Sequence, residues 1–219
     1  MMSVPLCVAL LLCVCVCLSE SCTCDSGHPQ EYFCSSDIVM RAEVTGEKII
    51  PEDDNRGGMR EIQYEIKVIK VFKGSDKIKQ IQHVYTSVMS SVCGTKLDHT
   101  QYLLSGNIMS DKFSVTLCDY TKRWDSLSLM MKNNFKYRYQ MGCDCKIFFC
   151  TEGRPCPSSR ENECVLTGWS SWIDNEQACI RHSDGSCSWF TGTDTPSTNH
   201  TTDARLTTKS QTSFQTDPL

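Results

Sequence analysis

The feature that most limits how this chain can fold is its cysteine pattern. Sixteen cysteines occur in 219 residues. Cys7, Cys13, Cys15 and Cys17 sit in the apolar run Val4 to Leu18, and the other twelve fall between Cys22 and Cys187. That run is too short to span a bilayer, and Ser19-Glu20-Ser21 puts small residues where a signal peptidase reads. Residues 1–21 are therefore expected to be a signal peptide, with Cys22 as the first mature residue. Twelve cysteines, an even number, in a chain sent to an oxidising compartment are expected to form six disulfides. C-x-C occurs at Cys22/Cys24 and at Cys143/Cys145, without the C-x-x-C spacing that closes a zinc tetrahedron. Disulfides are thus the stronger reading.

The periodicity predicts a mainly β protein. A short helix is expected over His28 to Cys34, with Pro29 early and Glu31 in its first turn. Asp37 to Val44 reads as a strand. From Ile62 the chain alternates, with Ile62, Tyr64, Ile66 and Val68 on one face, and slips at Ile69 as a bulge would produce. Ile78 to Thr86, Gln101 to Leu104 and Phe113 to Leu117 read as further strands, and Pro51 to Gly58 as an exposed hairpin loop. Trp124, Leu127, Met131 and Phe135 suit one helix face. Five strands with flanking helices fit a small closed barrel.

Cys143-Asp144-Cys145 marks a boundary. Six mature cysteines precede it, spread widely enough for residues 22–143 to build a true core. Six crowd into Cys145 to Cys187, so 144–190 reads as a small domain that needs its staples. Residues 191–219 are Ser/Thr-rich and expected to be disordered, with Asn199-His200-Thr201 as an N-glycosylation acceptor. With Glu20 removed, 22 Lys+Arg face 25 Asp+Glu, a net charge of about −3. So mild a balance favours neither nucleic acid nor membrane as partner. No H-E-x-x-H, G-x-S-x-G or P-loop pattern occurs, and paired cysteines leave no nucleophilic thiol, so an enzyme is not expected.

Cys22-Thr23-Cys24, His28-Pro29-Gln30, Phe33-Cys34, Ser91-Val92-Cys93-Gly94, Leu117-Cys118-Asp119, Arg138 to Cys143 and Ser183 to Cys187 together resemble the tissue inhibitors of metalloproteinases. The resemblance runs from Cys22 to about Phe190. It implies an oligonucleotide-binding-type (OB-like, netrin-like) barrel followed by a small disulfide-knotted domain. It also implies the pairs Cys22–Cys93, Cys24–Cys118, Cys34–Cys143, Cys145–Cys187, Cys150–Cys156 and Cys164–Cys179. The protease-contacting surface it implies is Cys22, Thr23, Cys24 and Asp25 beside Ser91, Val92 and Cys93. Implied partners are matrix metalloproteinases, membrane-type metalloproteinases and progelatinase A, met by a secreted monomer of the extracellular matrix. Docking on progelatinase A through the tail is expected to be weak, because residues 191–219 carry Asp194, Asp203 and Asp217 against Arg205 and Lys209. Ser26 stands where relatives usually have proline, which leaves φ unfixed just after Cys24.

Elementary chemistry supports that surface. A catalytic zinc keeps one position open for water. An α-amine titrates near 7.7–8.0 rather than the ~10.4 of lysine, so its lone pair is available near neutral pH. The amine and carbonyl of Cys22 can then chelate the zinc of a target protease and expel the attacking water; the inhibitor needs no cofactor of its own. Thr23 would enter the specificity pocket as a short, stiff β-branched wedge. The rival reading is a non-inhibitory binding module of the netrin-like kind, in which Cys22 and Cys24 only brace the barrel. Lys67, Lys70, Lys73, Lys77 and Lys79 read as a solvated sheet face rather than a glycan site. His28 reads as satisfied by a local hydrogen bond, and Trp169-Ser170-Ser171-Trp172 as packing. Amino-terminal sequencing of the secreted protein should begin Cys22-Thr23-Cys24; any residue ahead of Cys22 would favour the binding module.

Overall fold

The computed structural model describes residues 22–51, 60–150, 156, 160–167 and 176–190. The expected signal peptide, nearly all of the loop expected after Pro51, Trp169 to Trp172 and residues 191–219 with Asn199 lie outside the described residues. The first helix, α1 (Pro29–Ser35), starts as the sequence suggests. His28 Nδ1 accepts from the Gln30 amide at 3.2 Å, and the Glu31 carboxylate accepts from the His28 amide at 2.7 Å. This reciprocal cap satisfies two of the amides that a helix start leaves open.

Six strands follow: β1 (Ile38–Ile50), β2 (Glu61–Lys73), β3 (His83–Ser87), β4 (Gln101–Met109), β5 (Lys112–Ser114) and β6 (Thr121–Arg123). β1 pairs antiparallel with β2, β2 with β3, β3 parallel with β5, and β5 antiparallel with β4. β4 returns to pair with β1, so the pairings run in a ring, and β6 adds to β4 on its far side. The β1–β2 register passes from Arg41↔Lys70 to Ala42↔Val68, leaving Ile69 as an extra residue where the alternation slips. Phe72 and Thr45 are skipped in the same way. Such bulges sharpen the bend that a sheet needs to curl on itself.

Two expectations about strands change, and one strand was not expected. The segment Ile78 to Thr86 opens with a 3-10 turn, Ile78–Gln80, because Gly74 at φ 77° turns the chain and its carbonyl takes the Lys77 and Ile78 amides. Phe113 to Leu117 stops pairing at Ser114, where a turn closed by Asp119 begins. β6 carried no alternation by which to be read. Lys73 also differs from a solvated lysine: its ammonium donates to the Phe33 and Cys34 carbonyls, 3.0 and 2.5 Å away, at the end of α1. Partial burial lowers its pKa.

Alternation along β1 divides two cores. Ile38, Met40, Ala42 and Val44 face the inside of the ring with Tyr64, Val84, Leu97, Leu104, Phe113 and Val115. Val39 faces outward with Leu103, against a helical layer of Leu127, Met131, Phe135 and Tyr139. That layer is not one regular helix. It runs as a 3-10 turn (Trp124–Ser126), α2 (Leu129–Asn133), a π turn (Asn134–Arg138) and a 3-10 turn (Tyr139–Gly142). Apolar residues spaced strictly by four drift off one face at 3.6 residues per turn, and a widened π turn brings Phe135 and Tyr139 back onto it.

The described residues that follow form a parallel pair, β7 (Lys146–Cys150) with β8 (Glu163–Thr167), and a hairpin of β9 (Cys179–Arg181) with β10 (Cys187–Trp189). Their own cluster is Cys164, Cys179 and Cys187, with Cys145, Ile147 and Trp189 packed on them. Disulfide sulfur stands in for the aliphatic core that so short a segment lacks. Ala178 and Ile180 belong to the outer core beside Phe33, so the two parts of the chain share packed surface. At that seam the buried Gln30 amide donates to the Cys179 carbonyl at 2.6 Å and accepts from its N–H at 2.8 Å. A Cβ on Gly142 would stand 1.7 Å from the same carbonyl. Among the described residues no helix is long and apolar enough to cross a membrane. Gln30→Ala strands both Cys179 groups in a dry seam, so thermal or denaturant unfolding should show a loss of about 2–4 kcal/mol with all disulfides intact.

Candidate functional site

Three segments meet at one edge of the ring. Cys22 is bonded to Cys93 and Cys24 to Cys118, each pair with Cα atoms 5.1 Å apart. The two bridges touch, with the Cys118 sulfur 3.6 Å from that of Cys22 and 3.7 Å from that of Cys93. The sulfurs of Cys22, Cys24 and Cys118 lie within 4.8 Å of one another. Each is half of a disulfide, so none supplies the thiolate a metal needs. The other bonds are Cys34–Cys143, Cys145–Cys187, Cys150–Cys156 and Cys164–Cys179.

The second segment is a 3-10 turn, Ser90–Val92, which ends on Cys93 in the left-handed region at φ 64°. A side-chain-bearing residue there costs about 1–3 kcal/mol, and such strain gathers where a surface must be shaped. The surroundings hold it. The Cys93 amide donates to the Ser90 carbonyl, and its carbonyl accepts from Leu117 at 2.7 Å. Gly94 follows because a Cβ there would stand 2.1 Å from the Ser87 carbonyl. Beyond it, Thr86 Oγ1 accepts from Thr95, Tyr64 Oη from the Leu97 amide and Tyr102 Oη from the Asp98 amide. The inside of the ring thereby pins the loop that carries Cys93.

The third segment is the turn Thr116 to Asp119. The Asp119 carboxylate accepts from the Thr116 amide and hydroxyl, both at 2.7 Å, and Thr116 Oγ1 accepts from the Cys118 amide at 3.2 Å. Burial pushes the Asp119 pKa up, against the opposing pull of the Thr116 hydrogen bonds. A cleft of about 690 Å³ opens beside it, lined by Asp25, Tyr32, Tyr120, Lys122, Ser128 and Glu176. Burial, then the Glu176 charge, raises Tyr120 to about 12, so its phenol stays neutral.

The result is a ridge with Thr23, Asp25 and Ser91 exposed. Val92, Met89 and Leu117 stand on it 39, 46 and 55% exposed. The structure brings all seven sequence-expected contact residues onto this edge or into the bonds that hold it. Sequence reasoning missed Met89 and Leu117, whose only signal was an apolar residue near a bridged cysteine. It also missed the Thr116–Asp119 turn, visible in retrospect as Thr-x-x-Asp. His28 lies buried below, making the local hydrogen bond expected of it.

The edge is thus a short strip of backbone, clamped by two disulfides, that turns the threonine between them outward. The family model described as tissue inhibitor of metalloproteinase matches residues 20–189. Mouse metalloproteinase inhibitor 4 is 42% identical over 184 residues, covering 79% of this chain and 82% of the relative. Rat and human metalloproteinase inhibitor 2 are each 40% identical over 202 residues, covering 85% of this chain and 89% of theirs. The sequence of Ile62 to Lys67 and Phe72-Lys73-Gly74 leads us to expect the inhibitor 2 branch; the inhibitor 4 and inhibitor 2 relatives match at nearly the same level. The chain belongs to the tissue inhibitor of metalloproteinase family, a family of inhibitors rather than enzymes.

The partly buried Asp119 carboxylate gives a signed test. Because its folded pKa is raised, ionised Asp119 disfavours the fold: its contribution is best below the unfolded carboxylate pKa of about 3.9 and is lost as pH rises through the folded value. Asp119→Asn keeps an acceptor for Thr116 without that charge. Its stability relative to the parent should therefore improve between pH 3 and pH 7 in parallel melts.

Proposed function

We propose that the protein is a secreted inhibitor of zinc metalloproteinases, matrix metalloproteinases foremost, that acts through the α-amine and carbonyl of Cys22. Cleavage after Ser21 creates the amine. Amine and carbonyl then bind the protease zinc at the position its water would use, and Thr23 occupies the pocket beyond the scissile bond. Inhibition follows because no water remains to be activated. Residues 22–143 carry this surface on an OB-like barrel, a reading that the ring of strand pairings supports. Residues 144–190 form the small second domain, with contacts to membrane-type enzymes or progelatinase A left to it and the tail.

The observation that carries this reading is the double clamp on Cys22 and Cys24. A wedge of four residues binds tightly only if little entropy is lost on docking. The Cys22–Cys93 and Cys24–Cys118 bonds close loops with sequence separations of 71 and 94. In the chain-entropy model each such loop contributes about 4–5 kcal/mol to folding. A bracing role alone would not require the bridges to sit at the outermost mature residue beside an exposed Thr23. Apolar Val92, Met89 and Leu117 flank the strip, which suits the wall of a substrate cleft better than open water.

The test is to block the amine. A protein with one alanine added before Cys22, or with the amine acetylated, should melt like the parent yet lose inhibition of a gelatinase or collagenase catalytic domain by at least a hundredfold. The added atoms occupy the metal's place, and an amide nitrogen has no lone pair to give. Full inhibition by the blocked protein would sink chelation and return the clamp to a bracing role.

A further inference from the structure

We infer that the hydroxyl of Tyr32 is a positioning group for the inhibitory strip, acting in place of a fixed backbone angle at Ser26. This rests on the proposed inhibitory function. The strip is anchored by disulfides only as far as Cys24, and the next firm point is the His28 cap of α1. Between them lie Asp25, Ser26 and Gly27. Asp25 and Ser26 are exposed, and neither Ser26 nor Gly27 restricts φ as proline would. Unaided, these residues would form a hinge directly behind the wedge.

One side chain spans that hinge. Tyr32 Oη accepts from the Gly27 amide at 3.1 Å and donates to the Asp25 carbonyl at 3.1 Å. A hydroxyl thus uses its donor and an acceptor site on two backbone groups flanking Ser26, closing the segment into a staple. The ring that carries it is held in turn. It packs on Tyr120 with centroids 5.8 Å apart, and Tyr120 packs on the buried Phe135 at 5.2 Å. Tyr120 is tied to β4 through Ser105, whose hydroxyl accepts from the Tyr120 amide at 2.8 Å. A rigid path therefore runs from the sheet, through two aromatic rings, to the backbone beside Cys24. Gly27 fits closely against this arrangement, since a Cβ there would stand 3.3 Å from the Glu31 carboxylate and 3.4 Å from the Tyr32 ring.

The chemistry is local. Losing the hydroxyl removes two part-exposed hydrogen bonds, each worth about 0.5–1.5 kcal/mol net, and leaves the ring stack in place. Its effect falls on the order of Asp25 to Gly27 and so on the entropy lost when the strip docks. The core has no share in it.

The experiment compares the parent with Tyr32→Phe in the full chain bearing a free Cys22. Inhibition of a gelatinase catalytic domain should weaken about three- to tenfold, corresponding to the hydrogen bonds above. Exchange of the Gly27 amide, followed by NMR, should accelerate about tenfold, while amides of β1 and β4 keep their protection. Adding Ser26→Pro to the Tyr32→Phe protein should recover part of the lost inhibition, because a fixed φ then does the hydroxyl's work. Unchanged Gly27 exchange, unchanged inhibition or a proline that recovers nothing would each overturn the inference. If the parent itself does not inhibit, the functional reading fails, and Gly27 exchange still decides whether the staple exists.

Discussion

Two disulfides in contact with each other hold the working edge of this molecule. Without the Cys22–Cys93 and Cys24–Cys118 bonds, the segment 22–25 would be tied to neither sheet nor core, and such segments fray. With them, a strip of four residues is bound to a left-handed turn at Cys93 and to the Thr116–Asp119 turn. The sheet holds those two turns at a fixed separation. Tyr64 and Tyr102 show how: each sits in the ring's interior core and spends its hydroxyl on the loop that follows Cys93. A buried phenol that needs a partner and a loop amide that needs an acceptor satisfy one another.

The same economy appears at the seam between the early and late parts of the chain. The late part, short of aliphatic residues, builds its centre from cystine and then leans on the outer core through Ala178 and Ile180. Gln30 and Gly142 set the distance of approach, one by pairing with both polar groups of Cys179 and the other by having no side chain. The seam and the clamped edge are joined by α1, which carries Gln30 and whose cap at His28 lies only a few residues beyond Asp25. Tyr32, on that helix, turns the connection into a specific hydrogen-bonded staple.

Much of this was legible in the residues themselves. The short helix with Pro29 at its start, the alternation of Ile62 to Val68 and the extra residue at Ile69 are local signals, and local geometry obeys them. An even cysteine count behind an apolar leader pointed to a cystine-rich secreted class, and the motifs from Cys22 to Cys187 pointed to the family that the comparisons show. Less legible were elements whose form depends on distant partners. The start of the strand expected from Ile78 became a turn under Gly74, the helix after Trp124 took a π turn, and Lys73 left the solvated face to cap α1.

The sequence by itself determined which residues were available for the site: the C-x-C pair at the expected mature terminus, Thr23 between its cysteines, and Ser91 to Cys93 downstream. These are covalent and compositional facts that no fold can alter. Only the tertiary structure decided that Leu117 and Met89 stand on the same edge, that partial burial raises the Asp119 pKa, and that the hydroxyl of Tyr32 reaches back to Asp25 and Gly27. The reason is physical. Periodicity reports which face a residue presents along its own element. The meeting of groups dozens of residues apart depends on how the ring closes, how its bulges bend it and where the disulfides draw the loops together.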